Sequence, residues 1–161
     1  MKDLLSSILV IGIGNEFRSD DGVGILVARA IEGKKLPGVA VIEQSGEGAA
    51  LMDVWSEAGN VYLIDAVSSG APAGTVYRID ARTGTFPKEF RPFSTHAFGV
   101  AQAVELARSM NSLPPKLIIF GVEGKNFESG KNLSSEVLRS IRRVTQLLSN
   151  EIFSIVSKGP Q

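Results

Sequence analysis

The chain has 161 residues, 43% hydrophobic and 21% charged, the composition of a soluble globular domain with a core of useful size. Its 17 basic and 17 acidic residues leave a formal net charge of zero, which argues against a nucleic-acid footprint or a polybasic membrane patch. Cysteine is absent, so this chain supplies no thiol nucleophile, disulfide framework, zinc ribbon or iron–sulfur cluster, and the composition fits a reducing compartment.

The apolar run at residues 8–13 is continuous and ends in glycine and Asn15, the pattern of a strand buried on both faces. It is too short for a secretory leader, and no stretch approaches the ~18 apolar residues of a membrane helix. A cytoplasmic protein is expected, with no membrane or nucleic-acid partner. Ser19, Asp20 and Asp21 offer helix N-caps, and Val23, Val27 and Ile31 follow at helical spacing, with Gly33 as the C-cap and Pro37-Gly38 as a turn. Residues 39–43 read as a second strand. Leu51, Met52, Trp55 and Ala58 mark a second helix closed by Gly59, with Trp55 in the core, and residues 61–65 form a third strand. A Ser/Gly/Pro loop leads to residues 75–81, where Tyr77 and Ile79 alternate with Arg78 and Asp80 as in an antiparallel edge strand. Residues 82–95 read as irregular and residues 96–110 as a helix broken by Pro114-Pro115. Residues 116–122 are the last strand. A final helix starts near Ser134 and carries Val137, Ile141, Val144 and Leu148 inward, with Arg139, Arg142 and Arg143 on a solvated face and a frayed tail from Lys158.

Strands alternating with helices predict one domain over residues 1–161: a three-layer α/β/α sandwich on a mainly parallel sheet. Ligands of such folds bind outside the carboxyl ends of the strands, so the informative residues follow Ile13, Glu43, Asp65 and Val122.

The segment GIGNEFRSDDGVG, residues 12–24, opens like a dinucleotide loop. Phe17 falls where the third glycine of that fingerprint would pack helix on strand, and Asp20 and Asp21 would repel a pyrophosphate at the helix start. The acids have a bland reading, as helix-start carboxylates, and Asp65 has one as a loop-ordering residue. His96 is the single histidine and sits at the start of a helical pattern, where the dipole keeps a ring nitrogen unprotonated. Taken together, Asp21, Asp65 and His96 are a sufficient ligand set for a first-row metal with open positions. A serine triad is disfavoured, since there is no Gly-x-Ser-x-Gly elbow and one histidine would have to be its base. Arg18 either neutralises the acidic pair or orients a substrate carboxylate. Glu47 and Glu123 lie on the same rim, where a substrate contact is one reading, and are read in preference as a helix-start acid and a solvated loop acid.

These residues resemble the hydrogenase maturation endopeptidases, which remove a C-terminal extension from the large-subunit precursor of nickel–iron hydrogenases. The resemblance runs from Ile8 to the last helix. It rests on GIGNEFRSDDGVG with Asn15, Arg18, the acidic pair and Gly24; on LIDAV at residues 63–67; on STHAFGVA at residues 94–101; and on FGVEGKNFESGKNLSSEV at residues 120–137. It implies a twisted five-stranded sheet and a nickel-dependent, aspartic-type endopeptidase. Asp21, Asp65 and His96 are its implied metal and catalytic residues, and a hydrogenase precursor is its partner. The nickel is expected to arrive in the substrate, the free protein being metal-free or carrying another divalent cation. A non-cleaving nickel-checking or chaperone module that binds the precursor is the alternative. The chain departs from the family pattern after the second strand, where Gln44-Ser45-Gly46-Glu47-Gly48 replaces Asp-Gly-Gly-Thr-x-Gly, and at Gly124, where proline is usual.

Overall fold

The computed structural model describes residues 7–86 and 99–158. Five strands, β1 (Ile8–Ile13), β2 (Val39–Gln44), β3 (Asn60–Val67), β4 (Val76–Asp80) and β5 (Lys116–Glu123), form one sheet in the order β2-β1-β3-β5-β4. All neighbouring pairs are parallel except β4, which runs antiparallel along β5 at the edge. The helices α1 (Val23–Gly33) and α4 (Ser135–Ser157) cover one face, and α2 (Gly48–Trp55) and α3 (Val100–Ser109) the other.

The apolar runs become strands because both faces are covered. Alternate residues feed two cores: Val10, Ile64 and Phe120 pack under α1 and α4, while Ile11, Leu63 and Ile119 pack under α2 and α3. Trp55 is buried as expected, and Arg139, Arg142 and Arg143 are exposed. No described helix is long and apolar enough to cross a membrane.

Several boundaries differ from the sequence reading. Ser19, Asp20 and Asp21 do not cap α1. They lie in a single 3-10 turn, Ser19–Gly22, and no side chain caps the helix that follows. Gly33 belongs to α1, with Lys34 as its C-cap, and α2 ends at Trp55, short of Ala58 and Gly59. Strands β2, β3 and β5 run one or two residues further than expected at their carboxyl ends. Most of the irregular segment and the first residues of the expected third helix, including His96, lie outside the described residues.

Two glycines set the seating of α1 on the sheet. A Cβ on Gly12 would stand 2.5 Å from the Gly24 carbonyl oxygen and 2.6 Å from Ala28 Cβ. One on Gly24 would drive into the carbonyl oxygens of both Ile13 and Ile64, backbone atoms that cannot swing aside. Helix propensity alone would favour alanine at Gly24 by about 1 kcal/mol. The clash outweighs it, and Gly24→Ala is expected to lose about 3 kcal/mol, read as a lower urea midpoint at unchanged slope. Phe17, which counted against a dinucleotide loop, is 56% exposed and takes no part in this packing, where glycine meets glycine.

Candidate active site

The sheet order makes the crevice. The chain steps from β1 out to β2 through α1, then returns across β1 to β3 through α2 on the opposite face. Connections diverge between β1 and β3, leaving an opening above their carboxyl ends. Asp21 follows β1 and Asp65 lies in β3, so both belong to this switch point.

The loop after β1 folds back on itself to deliver Asp21. Gly14 extends the β1–β2 ladder, donating its N–H to the Gln44 carbonyl at 3.0 Å. Its φ of 141° is accessible to glycine, and a Cβ there would strike the Asp21 carbonyl oxygen. Asn15 accepts from the Phe17 N–H through Oδ1 at 2.9 Å, an Asx turn, and its own N–H donates to Asp21 Oδ2 at 2.9 Å. The Arg18 N–H closes on the Asn15 carbonyl and the Asp21 N–H on the Arg18 carbonyl, both at 3.1 Å. Asp21 is thereby held over Gly14 and Asn15, partly buried.

Asp65 stands level with Gly121 of β5, two residues from the end of β3, and is also partly buried. Burial pushes its carboxyl well above the ordinary range. The negative charge of Asp21 raises it further, and the Ala66 N–H offsets only part. Burial raises Asp21 too, against the Asn15 N–H and the positive charge of Arg18. Asp65 is therefore a buried carboxyl whose ionisation the charge of Asp21 disfavours, a state that a proton or a cation relieves. Among the described residues no cluster of three acidic or histidine side chains is formed. The amino end of α3 is nonetheless on this rim. Arg108, in its last turn, donates to the carbonyls of Ala81 and Gly84, and the Ala81 N–H donates to Leu117 at the beginning of β5. The helix therefore runs antiparallel to β5, and His96 precedes its first residue by four positions.

A sequence model of the hydrogenase maturation protease family matches residues 25–151. The chain belongs to the hydrogenase maturation protease family. The match takes in Asp65 and His96 and begins just after Asp21. A putative hydrogenase maturation protease of Methanocaldococcus jannaschii is 29% identical over 154 residues, 90% of this chain and 96% of the relative. HupD of Thiocapsa roseopersicina, a hydrogenase expression/formation protein, is 28% identical over 118 residues, and the matched region is 72% of this chain but 53% of HupD. The fold is similar to that of the hydrogenase maturating endopeptidase HybD from Escherichia coli. The TM-score is 0.74, with 21% identity and coverage of 95% of this chain and 94% of that one.

Within this member of the family, the two adjacent acids are not alike. Asp20 is fully buried and saturated with donors. Its Oδ2 accepts from the N–H groups of Lys125 and Asn126 at 2.8 Å and from Ser134 Oγ at 2.7 Å, and its Oδ1 from the Ser134 N–H at 2.7 Å. Burial pushes this carboxyl up, but the donors of Asn126, Ser134 and Lys125 outweigh it and hold the carboxyl below its ordinary range. Glu123 corrects the reading of a solvated loop acid. It is 2% exposed, and its carboxylate accepts from the N–H groups of Ser69 and Gly70 and from Ser69 Oγ, fixing the loop after β3. The other rim acids are exposed or half so. Glu47 occupies the N-cap of α2 without capping it, and Glu16 and Glu43 share the guanidinium of Arg29 at 2.9 Å. The roles of Asp20 and Glu123 escape sequence reasoning because their partners are far away in the chain. The sole sequence hint for Glu123 is that it continues an apolar run without a break.

Proposed function

We propose that this chain is a nickel-dependent endopeptidase that removes the C-terminal extension of a nickel–iron hydrogenase large-subunit precursor. Asp21, Asp65 and His96 would take hold of nickel carried by that precursor, so the metal is part of the substrate. The observation carrying this reading is the Asp21–Asp65 pair at the switch point, two partly buried carboxylates of which the charge of Asp21 bears on Asp65, an arrangement that favours an incoming cation. Carboxylate and imidazole donors suit a borderline first-row ion, and three of them leave coordination positions for ligands from the substrate. Nickel there would supply Lewis acidity next to the scissile carbonyl. A carboxylate of the pair, its pKa raised by burial, is suited to accept a proton from the attacking water. Family membership supports the hydrolase and the class of partner.

The decisive experiment incubates the protein with precursor prepared metal-free, nickel-loaded or zinc-loaded and reads the precursor's mass. Loss of a C-terminal fragment is expected with the nickel form alone. Equal cutting of the metal-free form would remove nickel from the mechanism. Nickel-dependent binding with no mass loss would make the protein a checking module instead of a protease.

A further inference from the structure

Phe17 stands 56% exposed on the turn that delivers Asp21. We propose that Phe17 anchors the precursor: together with Ile25 it forms an apolar subsite, beside the Asp21–Asp65 crevice, for an aliphatic or aromatic side chain of the segment to be cut. The proposal rests on the endopeptidase reading above.

Single exposed apolar side chains are ordinary on a protein surface. Phe17 differs in being fixed in place. Its N–H donates to Asn15 Oδ1 at 2.9 Å, and its carbonyl accepts from the Gly130 N–H at 2.8 Å. The next two residues continue the grip: Arg18 bridges to Gly130, and the Ser19 N–H donates to the Gly130 carbonyl at 2.8 Å. Lys131 Nζ lies 4.8 Å from the Phe17 ring centroid and covers one face of it. The other face has no ring or cation over it among the described residues. A ring held this way has little freedom left to lose on binding, and covering its apolar surface removes it from water.

The ring also borders a pocket. A cavity of about 370 Å³ is lined by residues 14–17 and 43–45 together with Ile25, a size that suits one large side chain. Ile25 is 4% exposed and adds a second apolar wall. The cavity is continuous with the support of Asp21, because Asn15 lines it and donates its N–H to Asp21 Oδ2 at 2.9 Å. Phe17 follows Asn15 by two residues, so their Cα atoms are within about 8 Å. A peptide extended over Asp21 covers that distance, and the reach of the ring, in about four residues.

Charge narrows the choice of side chain. Arg29 takes up both carboxylates of the lining, Glu16 and Glu43, through four bonds of 2.9 to 3.2 Å. Two carboxylates and one guanidinium leave a negative balance on this edge, which repels an acidic side chain. Neither carboxylate is left uncommitted to recruit a basic one. What the pocket offers is the ring of Phe17 and the side chain of Ile25.

The test uses the full chain and nickel-loaded precursor. Phe17→Ser should weaken precursor binding at least about tenfold, read by fluorescence anisotropy of labelled precursor, and Phe17→Leu should stay within about threefold of wild type. Both variants should melt with the wild type, since the side chain is mostly in water. In processing, the loss should fall on KM with kcat kept, because an anchor away from the scissile bond holds ground and transition states alike. With p-benzoylphenylalanine placed at position 17, illumination should cross-link the protein to an aliphatic or aromatic residue in the C-terminal part of the precursor. Unchanged binding by Phe17→Ser, equal losses in the Ser and Leu variants, or adducts on charged residues or elsewhere in the precursor would each overturn the proposal. The two readings fail separately. Normal binding and cutting by Phe17→Ser would leave the endopeptidase standing without this anchor. Binding that depends on Phe17 but never leads to a mass loss would sink the endopeptidase reading and leave the anchor in place.

Discussion

Asp65→Asn is expected to raise the melting temperature of the free protein while cutting precursor processing at least about a hundredfold. Both halves follow from one fact, that burial and the charge of Asp21 hold the Asp65 carboxyl well above its ordinary range. A carboxyl whose pKa is raised by folding costs stability when ionised. The penalty is absent below the unfolded value near 3.9, grows through the window up to the folded value, and is complete above it. Asparagine keeps the shape without the charge, so the variant should gain about 1 to 2 kcal/mol at neutral pH, or roughly 2 to 8 °C. The wild type should become more stable on acidification from the folded toward the unfolded value of Asp65, and the variant should show little of that rise. On the functional side, losing even an outer partner of a metal ligand costs 10- to 100-fold, so losing a ligand sets about the lower bound given. Thermal melts across pH, together with single-turnover processing of nickel-loaded precursor, measure both. A loss of stability with activity retained would instead make Asp65 a loop-ordering residue.

The sheet was legible in the sequence because its central strands are buried on both faces. Residues 8–13 and 117–122 are continuously apolar, and β4 gave itself away by the alternation of Tyr77 and Ile79 with Arg78 and Asp80. Helix boundaries were less legible where tertiary bonds set them. Ser19 and Asp20 look like caps by residue type, but their side chains are engaged by Glu128, Lys125, Asn126 and Ser134, 105 to 114 residues away. Local propensity is silent about such partners. The close approach of α1 to β1 was hidden for a related reason, since it rests on Gly12 against Gly24, a contact that no local propensity announces. For the site, sequence order could set Asp21 and Asp65 at the ends of neighbouring strands, since carboxyl ends of parallel strands share a rim. It could not say that one of two adjacent aspartates is saturated by backbone donors while the other accepts one such bond.

That difference makes the second prediction. Asp20→Asn should destabilise the protein by about 3 kcal/mol, a melting-point fall of roughly 6 to 12 °C, whereas Asp21→Asn should leave stability level or raised. Asp20 is fully buried and accepts four hydrogen bonds, from three N–H groups and one hydroxyl. Asparagine presents an N–H₂ where one carboxylate oxygen was. At least one buried donor then meets another donor, and the remaining bonds lose their charge assistance. Asp21 offers a contrast within one residue. It takes a single backbone bond, from Asn15, and burial raises its pKa, so neutralising it removes a strained charge. Acid gives an independent check with the opposite sign to Asp65. The donors around Asp20 hold its carboxyl below the usual range, so its contribution is complete above the unfolded value near 3.9 and disappears as pH falls through the lowered folded value. The stability gap between wild type and Asp20→Asn should therefore be full at neutral pH and close in strong acid, as urea titrations at each pH would read. If Asp20→Asn is as stable as wild type at neutral pH, its four bonds do not hold the rim, and the loop of residues 124–130 must be fixed by Ser19 and the Gly130 contacts alone.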